Sequence, residues 1–173
     1  METILWQDTL LMEYTTILAW KSICQKMKFG ATIVKDGTII ASGTNHPWDR
    51  RVCEPCLRQN PTLICIHPYE EVNAKIKSGT HLEICKAIHA EQDALLYALR
   101  HQIDIKGGLM YVAGEYLDGK PFLIEHKGFY CTFCARLIHD SGLMGVKVRT
   151  ADGIALLNLD EVMESAYKVA LKQ

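Results

Sequence analysis

The chain has 173 residues, a formal net charge of −1, 49% hydrophobic residues and 23% charged residues. These values fit one globular domain with a full hydrophobic core. The balanced charge argues against nucleic-acid and membrane-surface partners. No stretch is long and apolar enough to cross a bilayer, and the N-terminus lacks the basic flank of a signal peptide, so we expect a cytoplasmic protein. Its seven cysteines are then expected to serve metals rather than disulfides.

Hydrophobic periodicity predicts helices and strands in alternation along the chain. The helices are expected at residues 8–26, 89–102, 131–141 and 160–171, with Asp8 and Asp160 as N-caps of the first and last. The strands are expected at residues 29–34, 38–42, 109–113, 146–148 and 154–157, with turns at 35–37 and 118–119 and Gly142 ending the third helix. This order predicts one α/β domain over residues 1–173, a three-layer α/β/α arrangement around a mixed sheet of about five strands.

The chemistry is concentrated in two motifs, His89-Ala90-Glu91 and the C-x-x-C pair of Cys131 and Cys134. One imidazole and two thiols provide three ligands, the number that a catalytic zinc ion uses when water holds its fourth position. Each motif precedes a helical pattern, and the free N–H groups of a first helical turn favour thiolates, so we predict two helix N-termini facing one zinc ion. Glu91 is not needed as a ligand and is the expected proton acceptor. The alternative is a closed structural zinc site with Glu91 as an ordinary solvated helix residue.

A second set of cysteines lies in and around residues 45–85, a stretch without sustained periodicity that needs something to hold it. Cys53 and Cys56 form another C-x-x-C pair. The expected ligands of a second, structural zinc ion are Cys24, Cys53, Cys56 and Cys85. Such a site would tie a metal-binding insert to the first helix and to the segment before the second. Further donors are Cys65, His67 and His81, and burial as a small apolar side chain is the alternative for Cys24 and Cys65.

These motifs resemble the cytidine deaminase superfamily, and most closely its deoxycytidylate (dCMP) deaminase family. The zinc deaminases carry H-x-E followed by P-C-x-x-C, and here Tyr130 stands in place of the proline. The order helix, hairpin, helix with H-A-E, strand, helix with C-x-x-C, strand matches over nearly the whole chain. The cysteine-bearing insert and residues 30–37 are similar to the nucleotide branch. The resemblance implies a cytidine deaminase-like fold, a homo-oligomer, and hydrolysis of dCMP to dUMP and ammonia, with zinc on His89, Cys131 and Cys134 and with Glu91 carrying protons.

The resemblance also implies substrate contacts. Asn45 would bond the sugar and Arg100 the phosphate, with Ser22 as a weaker phosphate candidate; for Arg100 the alternative is a solvated helix end. The chain departs from the family where Asp93 replaces the usual Asn of H-A-E-x-N-A, and where Thr-Asn-His-Pro at residues 44–47 replaces a Tyr-Asn-Gly segment, in the loop that contacts nucleotide and allosteric dCTP in the family. The unranked candidates for stacking on the base are Trp48, Tyr111, Tyr116 and Phe129.

Two other functions remain open at the level of the sequence. The first is deamination of another nucleoside, base or amino-heterocycle on the same scaffold. The second is a non-catalytic, zinc-stabilised interaction module, in which a protein group such as Cys85 fills the fourth position of the zinc.

Overall fold

The computed structural model describes residues 2–51, 86–124 and 131–171. The helices are α1 (Glu2–Ala19), α2 (Ala90–Arg100), α3 (Thr132–Asp140) and α4 (Leu159–Leu171). The strands are β1 (Met27–Lys35), β2 (Thr38–Thr44), β3 (His46–Pro47), β4 (Ala87–Ile88), β5 (Leu109–Tyr116), β6 (Gly145–Thr150) and β7 (Gly153–Asn158). None of the described helices is both long and apolar enough to cross a membrane.

The predicted mixed sheet is confirmed. Its five strands lie in the order β2-β1-β5-β6-β7. Only β5 and β6 run parallel, and the other neighbours are antiparallel. A short second pair, β3 with β4, places His46 opposite Ile88, directly before the H-A-E motif.

The helices cover both faces of the sheet, as the three-layer prediction requires. On one face α1 packs against β1 and β5, where Met12 is buried with Val34 and Ala113. On the other face α2, α3 and α4 enclose the larger core, which includes Ala94, Ile138 and other apolar side chains of the three helices. Burying this apolar surface is the main favourable term in folding and fixes the helices that carry the two motifs.

The turns lie where the sequence predicts them. Asp36 and Gly37, between β1 and β2, have φ angles of 50° and 75°, the left-handed pair that a tight hairpin requires. Gly142 follows the C-cap of α3 with a φ of 83°, so a glycine ends this helix at little cost.

Both predicted N-caps are wrong, for a tertiary reason in one case and a local one in the other. Asp8 lies inside α1, which already begins at Glu2, and its carboxylate accepts from the Tyr111 hydroxyl at 2.6 Å and from Lys147 at 2.5 Å. The last helix begins at Leu159 instead, because Asn158 forms the cap: its Oδ1 accepts from the Glu161 N–H at 2.9 Å. The first helix also ends seven residues earlier than predicted, at Ala19.

Gly43 sets how closely the sheet approaches the helix that carries His89 and Glu91. A Cβ at this position of β2 would fall against backbone atoms of Ala90 and Ala94 in the first turn of α2. The absence of a side chain therefore lets β2 lie directly against the N-terminus of α2.

Candidate active site

The two motifs meet where α2 and α3 begin. His89 is the N-cap of α2 and Cys131 is the N-cap of α3, both with extended backbone, so the two predicted helix N-termini are present. One ligand atom each from His89, Cys131 and Cys134 lie within 4.8 Å of one another, and His89 Nδ1 is 3.3 Å from Cys134 Sγ. Within the described residues, no other three His, Cys, Asp or Glu side chains come together in this way.

Local hydrogen bonds fix the two caps. The Cys134 N–H donates to Cys131 Sγ at 3.3 Å, so the first turn of α3 supports a thiolate at its cap. At the other helix the His89 N–H donates to Gln92 Oε1 at 2.9 Å, and the His89 carbonyl accepts from the Asp93 N–H at 2.9 Å. The backbone on both sides of the cluster is therefore held by the helices that present the ligands.

The two thiols of the cluster behave as one titrating pair. A hydrogen bond from the Cys134 thiol, with help from His89, lowers the pKa of Cys131 to about 4. The same hydrogen bond, together with burial, raises the pKa of Cys134 well above its ordinary value. In the metal-free cluster the pair thus shares one proton at neutral pH.

Glu91 lies in the first turn of α2 and is only 7% exposed. Burial raises the pKa of this carboxyl above its ordinary value, while the charge of His89 acts in the opposite direction. A buried carboxyl with a raised pKa beside three metal-ligand groups is suited to accept and return a proton near neutral pH.

The donor set fits a zinc ion. Two sulfurs and one imidazole nitrogen match the ligand preference of zinc, and a set of three protein ligands would leave room for a water molecule. The mutual spacing of the three donors, within 4.8 Å, agrees with ligands on one ion. The site therefore suits hydrolytic chemistry in which a water molecule is activated beside a buried carboxyl group.

The family comparison decides between this chemistry and a purely structural metal site. The family model of the cytidine and deoxycytidylate deaminase zinc-binding region matches residues 6–150. The chain belongs to this family. The protein is therefore a hydrolytic deaminase with a zinc-binding region, and the resemblance predicted from its motifs is confirmed.

Individual relatives agree with the family. The deoxycytidylate deaminase of Mycobacterium phage D29 is 30% identical to this deaminase over 137 residues, which is 79% of the chain and 88% of the phage protein. The deoxycytidylate deaminase of Schizosaccharomyces pombe is 30% identical over 99 residues, or 56% of the chain and 27% of the yeast protein. The structure of dCMP deaminase from the cyanophage S-TIM5 in complex with dCMP and dUMP has a TM-score of 0.51 and 20% identity, covering 83% of this chain and 80% of that one, and it supports the fold.

The predicted sugar contact, Asn45, holds two segments of the deaminase together. Its Oδ1 accepts from the Phe29 N–H at 2.7 Å, and its Nδ2 donates to the Met27 carbonyl at 2.8 Å. The Ser22 hydroxyl donates to the Asn45 carbonyl at 2.6 Å and accepts from the Cys24 N–H at 3.1 Å. Asn45 keeps one amide hydrogen for a ligand, whereas Ser22 has already used its only hydroxyl hydrogen.

The predicted phosphate contact, Arg100, lies in the exposed last turn of α2. The rise of a helix separates it from the first residue of α2 by about 15 Å. Arg100 and the His89 end of the cluster therefore lie at opposite ends of the same helix.

The other predicted sites lie partly outside the described residues. Cys24 is described and has a free, half-buried thiol, but Cys53, Cys56 and Cys85 fall in residues 52–85, so the second zinc site stays a prediction. Tyr111 is excluded as the residue that stacks on the base. It lies on the face of the sheet that α1 covers, away from α2 and α3, and its hydroxyl donates to Asp8. Trp48 and Tyr116 are exposed, and Phe129 lies outside the described residues.

The sequence did not reveal that two of its three departures from the family pattern, Asp93 and residues 44–47, meet in space. Asp93 Oδ2 accepts from the Thr44 N–H at 3.1 Å, and Asp93 Oδ1 lies 3.2 Å from His46 Nε2 and 3.4 Å from the exposed Arg50 guanidinium. The negative charge of Asp93 thus holds the segment that carries Asn45. The sequence signal for this contact was that an acid, Asp93, and a histidine, His46, both stand where the family pattern has other residues.

Proposed function

We propose that the protein is a zinc-dependent dCMP deaminase that converts dCMP and water into dUMP and ammonia. The observation that carries this proposal is the buried Glu91 beside the joined His89, Cys131 and Cys134 donors. The named activity of the Mycobacterium phage D29 relative, which aligns over 88% of its length, supports a cytosine mononucleotide as the substrate. Deamination of another nucleoside, base or amino-heterocycle is the alternative.

In this proposal each residue of the cluster has one task. His89, Cys131 and Cys134 would hold the zinc ion, which would supply the Lewis acidity that makes water nucleophilic near neutral pH. Glu91 accepts the proton of the attacking water, delivers a proton to ring N3, and then protonates the departing amine. A bond forms between the water oxygen and C4, and the bond from C4 to the exocyclic nitrogen breaks. Both protons of the water pass through Glu91, one to ring N3 and one to the departing amine.

Burial of Glu91 serves this proton transfer. A carboxyl group with a raised pKa returns a proton to nitrogen more readily than an ordinary solvent-exposed acid does. Because Glu91 and His89 belong to the same helix start, the carboxyl and the ion are held by one rigid element.

For the rest of the nucleotide we propose the contacts expected from the resemblance. Asn45 binds the sugar with its remaining amide hydrogen, and Arg100 binds the phosphate. The position of Arg100 at the far end of α2 makes it the assignment most in need of a test, and Ser22 is a weaker candidate because its hydroxyl hydrogen is already used.

The wider organisation is also part of the proposal. Residues 1–173 form a single deaminase domain with a metal-binding insert at about 45–85, where Cys24, Cys53, Cys56 and Cys85 hold a structural zinc. The enzyme works as a homo-oligomer, and it works in the cytoplasm, where a reducing environment keeps ligand thiols from forming disulfides.

The test is ammonia release from dCMP, CMP and deoxycytidine by the zinc-loaded enzyme. We expect turnover of dCMP with little or none of deoxycytidine, and an Arg100→Ala variant should raise KM for dCMP at least tenfold if Arg100 binds the phosphate. Equal rates on dCMP and deoxycytidine would contradict the mononucleotide assignment. No release from any of the three would favour another ring as the substrate.

A further inference from the structure

Helix α1 has an apolar side that faces away from its own domain. Its inner side is buried against the sheet through Met12, Thr15 and Ala19. Its outer stripe consists of five large apolar side chains that are 45% to 72% exposed: Trp6, Leu10, Tyr14, Ile17 and, in the turn directly after the helix, Trp20. A surface helix of a monomer normally presents a polar outer face, so α1 is built to be covered on both sides.

The outer stripe is one continuous surface. Trp6, Leu10, Ile17 and Trp20 are separated by 4, 7 and 3 residues, which is helical spacing. At about 100° per residue, their side chains all fall within one third of the helix circumference. Their centre is opposite the buried Met12 side. Lys28 Nζ lies 5.7 Å from the centre of the Trp20 ring at one end of the stripe, and Glu13 lies within it, but the five apolar side chains stay exposed among the described residues. An exposed apolar patch of this kind typically marks an interaction site.

The order of side chains along the stripe is nearly palindromic. A tryptophan stands at each end, at positions 6 and 20, and an aliphatic residue stands inside each, at positions 10 and 17. Glu13 is midway between them. If a second copy of α1 lies antiparallel about a two-fold axis near Glu13, Trp6 meets the partner's Trp20 and Leu10 meets the partner's Ile17, which is the self-complementarity that a two-fold interface requires.

The area is sufficient for such an interface. From the exposed fractions, the five side chains present about 600 Å² per protomer, and two copies together bury about 1,200 Å², the lower end of the range for specific, stable complexes. The aromatic ends are the residue types that dominate interface energetics.

Charge argues for a protein partner and against a lipid surface. Helix α1 itself contains no Lys or Arg, and the Lys28 ammonium near the Trp20 ring comes from β1, whereas helices that lie on anionic membranes carry basic residues of their own beside the apolar face. The acid at the centre, Glu13, lies 3.5 Å from Arg149 of the same protomer, so its charge is balanced before two copies meet.

From these observations we infer that the outer stripe of α1 is the contact surface of a two-fold symmetric homodimer, in which two α1 helices pack antiparallel. The inference rests on the homo-oligomer of the proposed function and does not depend on the substrate. It assigns the surface, the partner and the symmetry.

The test is sedimentation velocity of the zinc-loaded protein over a range of concentrations, with Leu10→Arg as the interface variant. Two-fold symmetry places each substitution in the interface twice, so we expect the dissociation constant of the dimer to rise at least 100-fold. Leu171→Arg, at another exposed leucine in the last turn of α4 (84% exposed, against 60% for Leu10), is the control and should leave association unchanged. Circular dichroism and zinc content show whether each variant is folded, and Glu13→Leu, which removes the central acid, should lower the dissociation constant.

The possible outcomes distinguish the proposed α1 interface from homo-oligomerisation as such. A wild-type protein that is monomeric at all concentrations would overturn both the stripe and the homo-oligomer, without bearing on deamination. An oligomeric wild type whose association is the same in folded Leu10→Arg would overturn the stripe alone. An oligomer weakened equally by Leu10→Arg and Leu171→Arg would also overturn it, because the effect would then come from the added charge.

Discussion

Zinc uptake at pH 7.5 should release about one proton per ion from the Cys131 and Cys134 pair of the catalytic cluster. The pKa of Cys131 is lowered to about 4, so this residue is already a thiolate, and the pKa of Cys134 is raised, so this residue carries a proton that zinc must displace. Two independent cysteines with the ordinary pKa of about 8.5 would each be mostly protonated and would together release about two protons.

The release can be counted by calorimetry of zinc binding to the metal-free protein in two buffers with different ionisation enthalpies. The same titration on a Cys53→Ser, Cys56→Ser variant separates this release from any at the predicted second site. The pH dependence gives an independent check, since one released proton makes the apparent affinity rise about tenfold per pH unit between pH 7 and 8, and two released protons about a hundredfold. A count near two, with the steeper dependence, would refute the coupled Cys131 and Cys134 pair.

Three further variants test the framework around the site. Gly43→Ala puts a methyl group against the first turn of α2 and should lower both zinc affinity and turnover at least tenfold, measured by metal titration and ammonia release; unchanged values would show that the close approach is not required. Asp8→Ala leaves Lys147 without its partner and should lower the free energy of unfolding, measured with urea, by about 2 kcal/mol. The loss is smaller than for a fully buried pair because both groups are partly exposed. A loss below about 0.5 kcal/mol would contradict this prediction. Asp93→Ala removes the acceptor of the Thr44 N–H and the carboxylate that lies 3.2 Å from His46 Nε2. It should raise KM for the nucleotide more than it lowers kcat, because the segment that Asp93 holds carries the proposed sugar contact. An effect on kcat alone would place the role of Asp93 at the chemical step instead.

The sequence predicts the metal cluster well because its signals are local. H-A-E and C-x-x-C each stand directly before a helical pattern, and the caps formed by His89 and Cys131 then follow from short-range backbone geometry. The five strands are equally readable, since each combines a short apolar run with a turn of defined residue types.

The errors arise where a residue has a partner distant in the chain. Asp8 resembles an N-cap, but Tyr111 and Lys147 from the sheet take its carboxylate, and these contacts bridge more than 100 residues. The pairing of Asp93 with His46 is similar, because nothing in either local pattern states that the two positions meet. At the last helix the predicted cap was Asp160, but Asn158 forms the cap because Glu161 completes a reciprocal pair of hydrogen bonds with it.

The most direct test of the central claim compares deamination of dCMP by the wild-type enzyme and by Glu91→Gln at equal zinc content. Glutamine keeps the size of the side chain and removes its ability to carry a proton. We predict that the variant binds zinc normally and loses turnover by a factor of about 10² to 10⁴, the range expected for a general acid–base group. Undiminished turnover in zinc-loaded Glu91→Gln would contradict the mechanism.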